Sequence, residues 1–161
     1  MSNFASPVSA NQDERVMAAL AHISALMPFM GIVVPIVIWV TQKDKSKYVA
    51  FQALQAAGYQ LTMIVAWFIG MGCYMCSFFG LFLTTFFSSS SGTSQPMNPL
   101  FGLGFAIPFL VIGAIFVGGF AFIVYGVIGA VMTIQGKPFR YILIGNWVKR
   151  FMQPKQDATV S

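Results

Sequence analysis

Cys73 and Cys76 are the only cysteines, in the run C-Y-M-C with Met71 and Met75 beside them. Thiols three residues apart share one helix face, and with thioether neighbours they form the donor set a soft cation such as copper(I) takes. No histidine follows to make a haem-attachment signature and no second cysteine pair exists. Cysteine and methionine are also ordinary fillers of apolar helices, so the four are read as packed or lipid-facing side chains. His22 is the sole histidine. An ionisable group inside an apolar stretch is a functional candidate because its charge is costly to bury, but neutral imidazole is far cheaper. With no Asp or Glu in any apolar stretch to relay a proton, His22 is expected to be neutral and bonded to a backbone or hydroxyl group on a facing helix. The same lack of acids argues against an ion-coupled transporter. No phosphate-cradling glycine loop, zinc spacing or nucleophile elbow is present. The chain is therefore expected not to be an enzyme and to hold no catalytic, cofactor or metal site.

The elements that carry these residues are apolar. Of 161 residues, 57% are hydrophobic and 8% charged, with a mean hydropathy of +0.76; so few charges cannot cover a water-soluble surface. Three uninterrupted stretches, about 16–41, 49–87 and 100–134, each exceed the roughly 20 residues a helix needs to cross a bilayer. The expected fold class is all-α: a polytopic integral membrane helical bundle of three spans with an interfacial C-terminal amphipathic segment. Residues 1–15 and 153–161 read as flexible tails around a single transmembrane domain, 16–152. MSNFASPVSANQDER lacks the basic region and short apolar core of a secretory signal, so the first helix is expected to be retained.

Charge sets the expected orientation. Lys43, Asp44, Lys45 and Lys47 are the only charges between Arg15 and Lys137, and Lys137, Arg140, Lys149 and Arg150 follow the last stretch. By the positive-inside rule both clusters face the cytoplasm, while the uncharged loop SSSSGTSQPMNP faces outward. This gives an N-out, C-in protein if the first stretch crosses. The basic excess sits beside the spans rather than in a compact domain, so the lipid bilayer, not nucleic acid, is its expected partner. MPFMGIVVP places Pro28, Gly31 and Pro35 inside the first stretch, where proline removes a donor and clashes with the preceding turn. A kinked crossing is expected there, with a re-entrant or interfacial piece as the alternative. The second stretch is too long for one crossing, at nearly 60 Å. Its start carries Gln52, Gln55 and Tyr59 at helical spacing, read as a helix start in the headgroup layer or the cytoplasm. PFRYILIGNWVKRF mixes bases and aromatics like an interfacial tail. Ala66 and Gly70, Ala114 and Gly118, and Gly126 and Ala130 are small-xxx-small pairs. Such pairs let backbones approach where lipid supplies no drive for association, and they suggest self-association or other membrane subunits as partners.

ERVMAALAHISALMPFMGIVVPIVIWVTQKDKSKYVAFQALQAAGYQ, followed by IQGKPFRY, resembles a small bacterial and archaeal membrane family, domain of unknown function four-eight-seven-zero, in the Tic-twenty-like superfamily. The residues carrying the resemblance are Arg15, His22, Pro28, Pro35, Lys43, Asp44, Lys45, Gln55, Gly136 and Tyr141. Where that family commonly has His after the Phe of its second helix, this chain has Gln52; for its Tyr-Pro it has Tyr141 and Ile142. The resemblance implies a multi-pass protein of a bacterial or archaeal cell membrane. A named relative in the superfamily belongs to the chloroplast inner-envelope import machinery, which implies a helical scaffold able to line or support a translocation path. Two readings follow. One is a non-enzymatic scaffold or accessory subunit of a larger membrane complex, resting on the small faces. The other is a component of a protein or solute translocation path, with Gln52, Gln55, Tyr59 and Gln60 lining it.

Overall fold

A computed structural model describes residues 10–27, 29–90, 99–137, 139–142 and 144–152. The calls on Pro28, on both tails up to residue 9 and from 153, and on most of the serine-rich loop (91–98) lie outside the described residues. Five α-helices are present: α1 (Gln12–Ile23), α2 (Val33–Gln42), α3 (Lys47–Ser90), α4 (Pro99–Ile134) and α5 (Gly145–Met152), and no strand occurs among the described residues. Two of them, α3 and the Gly104–Ile134 part of α4, are long and apolar enough to cross a membrane.

The chain divides into two units, Met1–Ile64 with Phe122–Ser161, and Val65–Ala121. In the first unit, α1 opens with a capping box in which the Asn11 side chain accepts from Glu14 N and the Glu14 carboxylate accepts from Asn11 N, both at 2.9 Å. Two backbone donors that have no helical partner are thereby satisfied. The first apolar stretch is not one helix. After Ile23 come two short 3-10 turns, Ser24–Leu26 and Met30–Ile32. Phe29 between them sits at φ 65°, a left-handed conformation that ends regular helix. The chain then folds back so that α2 lies against α1, with Ile38 packed on the two buried clusters that include Ala18 and Ala21 of α1. Gly31 is required at this bend, since a Cβ there would lie 2.0 Å from the Ser24 carbonyl oxygen. At 12 and 10 residues, α1 and α2 reach only about 18 and 15 Å each, too short to cross singly.

The start of α3 packs beneath this hairpin through Val49, Ala50, Ala53 and Ala56, all at most 1% exposed. Alanines on α1 and α3 keep the two backbones close, which is how an apolar bundle gains dispersion contacts. The end of α4 joins through Gly126 and Ala130, both buried. A Cβ on Gly126 would stand 2.9 Å from Ala25 Cβ. Gly136 then turns the chain at φ 72°; its missing side chain admits the Arg15 guanidinium, whose Cζ would be 2.7 Å from a Cβ there. Residues 139–142 return over the bundle into α5, which buries Gly145 and Val148 and leaves Trp147 and Phe151 exposed and stacked at 5.8 Å.

In the second unit the α3 and α4 segments form an antiparallel pair. Gly70 faces Ile115 and Gly104 faces Leu81. The partly covered positions are Trp67, Gly70, Met71, Tyr74, Ser77, Leu81, Thr85 and Ser88 on one helix and Gly104, Val111, Ile112, Ile115 and Gly119 on the other, with Pro108 buried. Their spacing is the three-and-four rhythm of one helix face. The remaining surface is aromatic and aliphatic, with Phe109, Phe116 and Phe120 at 72%, 74% and 71% exposure.

Candidate functional site: a buried polar network around His22

Unit one encloses a set of polar side chains that one helix alone could not satisfy. His22 on α1 is fully buried. Its Nε2 lies 3.1 Å from Gln52 Oε1 on α3, and its Nδ1 lies 3.0 Å from the Tyr141 hydroxyl in the segment after α4. An amide oxygen only accepts, so Nε2 carries the proton and Nδ1 accepts from the tyrosine. Gln52 Nε2 donates to Phe139 O at 3.4 Å, and Gln55 Nε2 donates to Gln52 Oε1 at 3.4 Å. Gln55 Oε1 in turn accepts from Tyr141 N at 3.2 Å. Every one of these bonds is consistent with a neutral imidazole. Burial draws the His22 pKa down from 6.5 to about 4, against a smaller upward pull from the Gln52 hydrogen bond. Burial likewise raises the Tyr141 phenol pKa, with Tyr59 and Tyr125 adding to the rise.

Tyr59 ties the aromatic side of the network together. Its ring stacks on Phe122 at 3.7 Å and on Tyr141 at 4.0 Å, while its hydroxyl donates to Phe122 O at 2.7 Å. From the next residue of α3, Gln60 Nε2 donates to Ser24 Oγ at 2.9 Å, and Ser24 Oγ donates to Ala21 O at 2.8 Å. The hairpin bend is thus held to α3 by a side-chain bond. Phe139 presses on Gly129, where a Cβ would meet its ring carbon at 2.7 Å.

The sequence marked His22, Gln55, Gly136 and Tyr141, and they come together here or at the adjoining turn. It did not mark Gln52 as the partner of His22, nor Tyr59, Ser24 and Phe139 as members of one network. The glutamine and tyrosine stripe of α3, expected in the headgroup layer or the cytoplasm, is covered by α1 and residues 139–141. Its burial has a physical cause: the amides find protein partners that replace water. Pro35 is buried in α2, and Arg15 donates from Nε to Ala10 O at 3.0 Å. Lys43, Asp44 and Lys45 are exposed at the turn between α2 and α3.

The small-residue pairs separate. Gly126 and Ala130 pack inside the chain, and Gly70 contacts Ile115, whereas Ala66, Ala114 and Gly118 are exposed. A Cβ on Gly118 would meet nothing within 4 Å, so the intrachain contact of α4 does not run through Ala114 and Gly118. Cys73 and Cys76 are free thiols on the exposed face of α3. Among the described residues, no group of three or more His, Cys, Asp or Glu side chains comes together.

These features define an all-helical protein with two apolar helices of membrane-spanning length and a polar network closed within its own fold. The family model of the MamF/MmsF proteins, the magnetosome magnetite crystal formation protein family, matches residues 13–148, and the chain belongs to that family. No curated protein and no solved structure matches it. The expected membership in domain of unknown function four-eight-seven-zero and the Tic-twenty-like superfamily is thereby corrected. Of the residues that carried that resemblance, His22, Gln55 and Tyr141 belong to the network and Arg15 and Gly136 to the adjoining turn. Such positions report how a short helical hairpin is packed, and that is not diagnostic of one family.

Proposed function

We propose that this protein is a non-enzymatic integral membrane scaffold or accessory subunit of the compartment in which magnetite crystals form. The observation that carries the reading is family membership over residues 13–148 together with unburied apolar helices. In the most apolar window of α3, 0% of the residues are buried inside the chain, and 6% in that of the Gly104–Ile134 helix. The core helix of a soluble protein would be covered; helices left this apolar and bare are solvated by lipid. Two crossings, α3 and α4, fit better than three. The α1–α2 hairpin returns toward the side it left, because the start of α1, the start of α3 and the turn after α4 lie together: Tyr48 packs with Ala10 and Ala18, and Gly136 packs on Arg15. The lysines beside this end support a cytoplasmic side for it, and with it for the start of α1 and for α5.

The closed network supports a structural role. His22, Gln52, Gln55 and Tyr141 satisfy one another rather than presenting groups to a substrate. The translocation reading loses the superfamily resemblance, and the residues proposed to line its path, Gln52, Gln55, Tyr59 and Gln60, are internally bonded. The exposed faces of α3 and α4, including Ala114 and Gly118, remain for lipid and for other membrane subunits or a second copy. The test has two parts. In a magnetite-forming host the protein should resist extraction from isolated magnetosome membranes by alkaline carbonate, and its deletion should change crystal size or number. Restoration should require a chain with an intact His22 network. Release by carbonate, or wild-type crystals after deletion, would overturn the reading.

A further inference from the structure

The α1–α2 hairpin of the first unit is polar at its base and apolar at its tip. At the base stand Gln12 and Asp13 on α1 and Lys43, Asp44 and Lys45 after α2, all exposed. Between Arg15 and Lys43 the chain has no Asp, Glu, Lys or Arg. The tip is bare: Leu26, Met27, Met30 and Val33 are 50%, 62%, 71% and 52% exposed. Ile36, Val37 and Val40 continue this exposed surface along α2. The polar groups of the bend are bonded within the protein. Ser24 Oγ donates to Ala21 O and accepts from Gln60 Nε2, Met27 N donates to Ser24 O at 3.0 Å, and Gly31 N donates to Met27 O at 2.8 Å. A bend that breaks regular helix is tolerated at membrane depth only where protein partners replace water in this way. The hairpin also has a direction along α3. Its base packs at Tyr48, with Ala10 and Ala18, and its tip is tied to Gln60, about 18 Å further along that helix. The next residue, Leu61, is the first large hydrophobic side chain of α3 to be exposed. The tip therefore lies where the lipid-facing stretch of α3 begins.

We propose that the α1–α2 hairpin is a re-entrant wedge: its tip enters the acyl region of the cytoplasmic leaflet without crossing, and so widens that leaflet alone. The run of chemistry along the hairpin selects lipid as the occupant of its outer surface. Charge at the base and hydrocarbon at the tip follow the order of headgroups and acyl chains. A protein partner would be met by a polar rim around an apolar centre, and from Leu26 to Val40 there is no Ser, Thr, Asn, Gln or charged residue to form one. The length fits as well, since α2 reaches about 15 Å, half of the roughly 30 Å of hydrocarbon. Among the described residues no other short hairpin stands to widen the opposite leaflet. Material added to one leaflet favours a membrane bent with that leaflet on its convex face, as the cytoplasmic leaflet of a vesicle is. The inference rests on the membrane reading above and adds to it an action on the bilayer.

The full chain, with Cys73 and Cys76 replaced by Ser, is given a single fluorophore at Met30→Cys or at Lys45→Cys and reconstituted into vesicles of phosphatidylcholine and phosphatidylglycerol. Emission from position 30 should be largely lost to phosphatidylcholine brominated on its acyl chains and little affected by iodide on both sides of the membrane; position 45 should show the reverse. Iodide quenching at 30 equal to that at 45 would put the tip in water, and quenching by neither agent would put it against protein; either result overturns the proposal. The wedge is read from orientation. In small sonicated vesicles, a membrane-impermeant thiol reagent added outside should reach Lys45→Cys in a larger share of chains than in large extruded vesicles, because the convex face is the outer one. Met27→Asp combined with Met30→Asp, at two exposed positions, should abolish this size dependence and leave the melting temperature in detergent unchanged. Equal shares in both vesicle sizes, or a size dependence that survives the double substitution, would overturn the wedge. A chain that resists carbonate but fails these tests refutes the hairpin's role alone; one released by carbonate refutes the membrane reading.

Discussion

The bend at Gly31 makes a sharp quantitative demand. In Gly31→Ala the new Cβ would stand 2.0 Å from Ser24 O and 3.0 Å from Gln60 Oε1. Carbon and oxygen pack at about 3.3 Å or more, so the two 3-10 turns must separate by roughly 1.3 Å. The obstructing atom is backbone, so no rotamer change relieves it. Overpacking costs about 1–3 kcal/mol, and here the upper end applies. The Gln60 to Ser24 bond, 2.9 Å in the native protein, would be stretched as well, at about 1 kcal/mol. The total, about 3–4 kcal/mol, corresponds to a melting temperature lower by roughly 10 °C for a chain of this size. Gly118→Ala is the matched control: nothing stands within 4 Å of its Cβ, and replacing a mid-helix glycine gains about 1 kcal/mol of helix propensity. Thermal unfolding in detergent, followed by circular dichroism and by monodispersity on size exclusion, measures both. If Gly31→Ala melts with the wild type, or if the two variants fall together, the close approach at the bend is not what holds the hairpin.

Four other outcomes are expected. Because the His22 pKa is lowered in the fold, its contribution to stability is complete above the unfolded value of 6.5 and is lost as pH falls toward about 4; by pH 5 the loss is about 2 kcal/mol, and a His22→Gln variant should show a flatter dependence of melting temperature on pH. Gln55→Leu strips Tyr141 N of its buried acceptor and should cost about 1–3 kcal/mol, seen as faster proteolysis of residues 139–152. Replacing Cys73 and Cys76, both exposed and free, with Ser should leave melting and metal content unchanged; a stoichiometric metal lost in the double variant would contradict this. In a cysteine-free background, a membrane-impermeant thiol reagent added to intact isolated magnetosomes should label Lys45→Cys on the cytoplasmic face and not Gly92→Cys, and the reverse pattern would invert the proposed orientation.

Much was legible without coordinates. Three apolar stretches and the basic end were read from residue types alone, because a run of Phe, Leu, Ile and Val with no charge has no compatible solvent but hydrocarbon or a protein core; the second and third form helices of spanning length, while the first is two short helices. A break between about Pro28 and Pro35 was also visible, since Pro28, Gly31 and Pro35 interrupt an otherwise regular pattern. Its geometry was not: a kink and a fold-back share those local signals, and only the packing of α2 on α1, with Ile38 against the clusters that include Ala18 and Ala21, decides between them. The neutrality of His22 was anticipated from the missing acids, but its amide partner on α3 was not. Gln52 lies 30 residues from His22 along the chain and Tyr141 lies 119 away. Periodicity describes which residues share a face, and it is silent about which face another element covers. For the same reason the three small-residue pairs looked alike, yet Gly126 is packed against Ala25 and Gly118 faces open space. Local sequence determined the elements and their solvent; tertiary closure determined which polar stripe became core, because a buried amide persists only where a distant part of the chain supplies its hydrogen-bond partner.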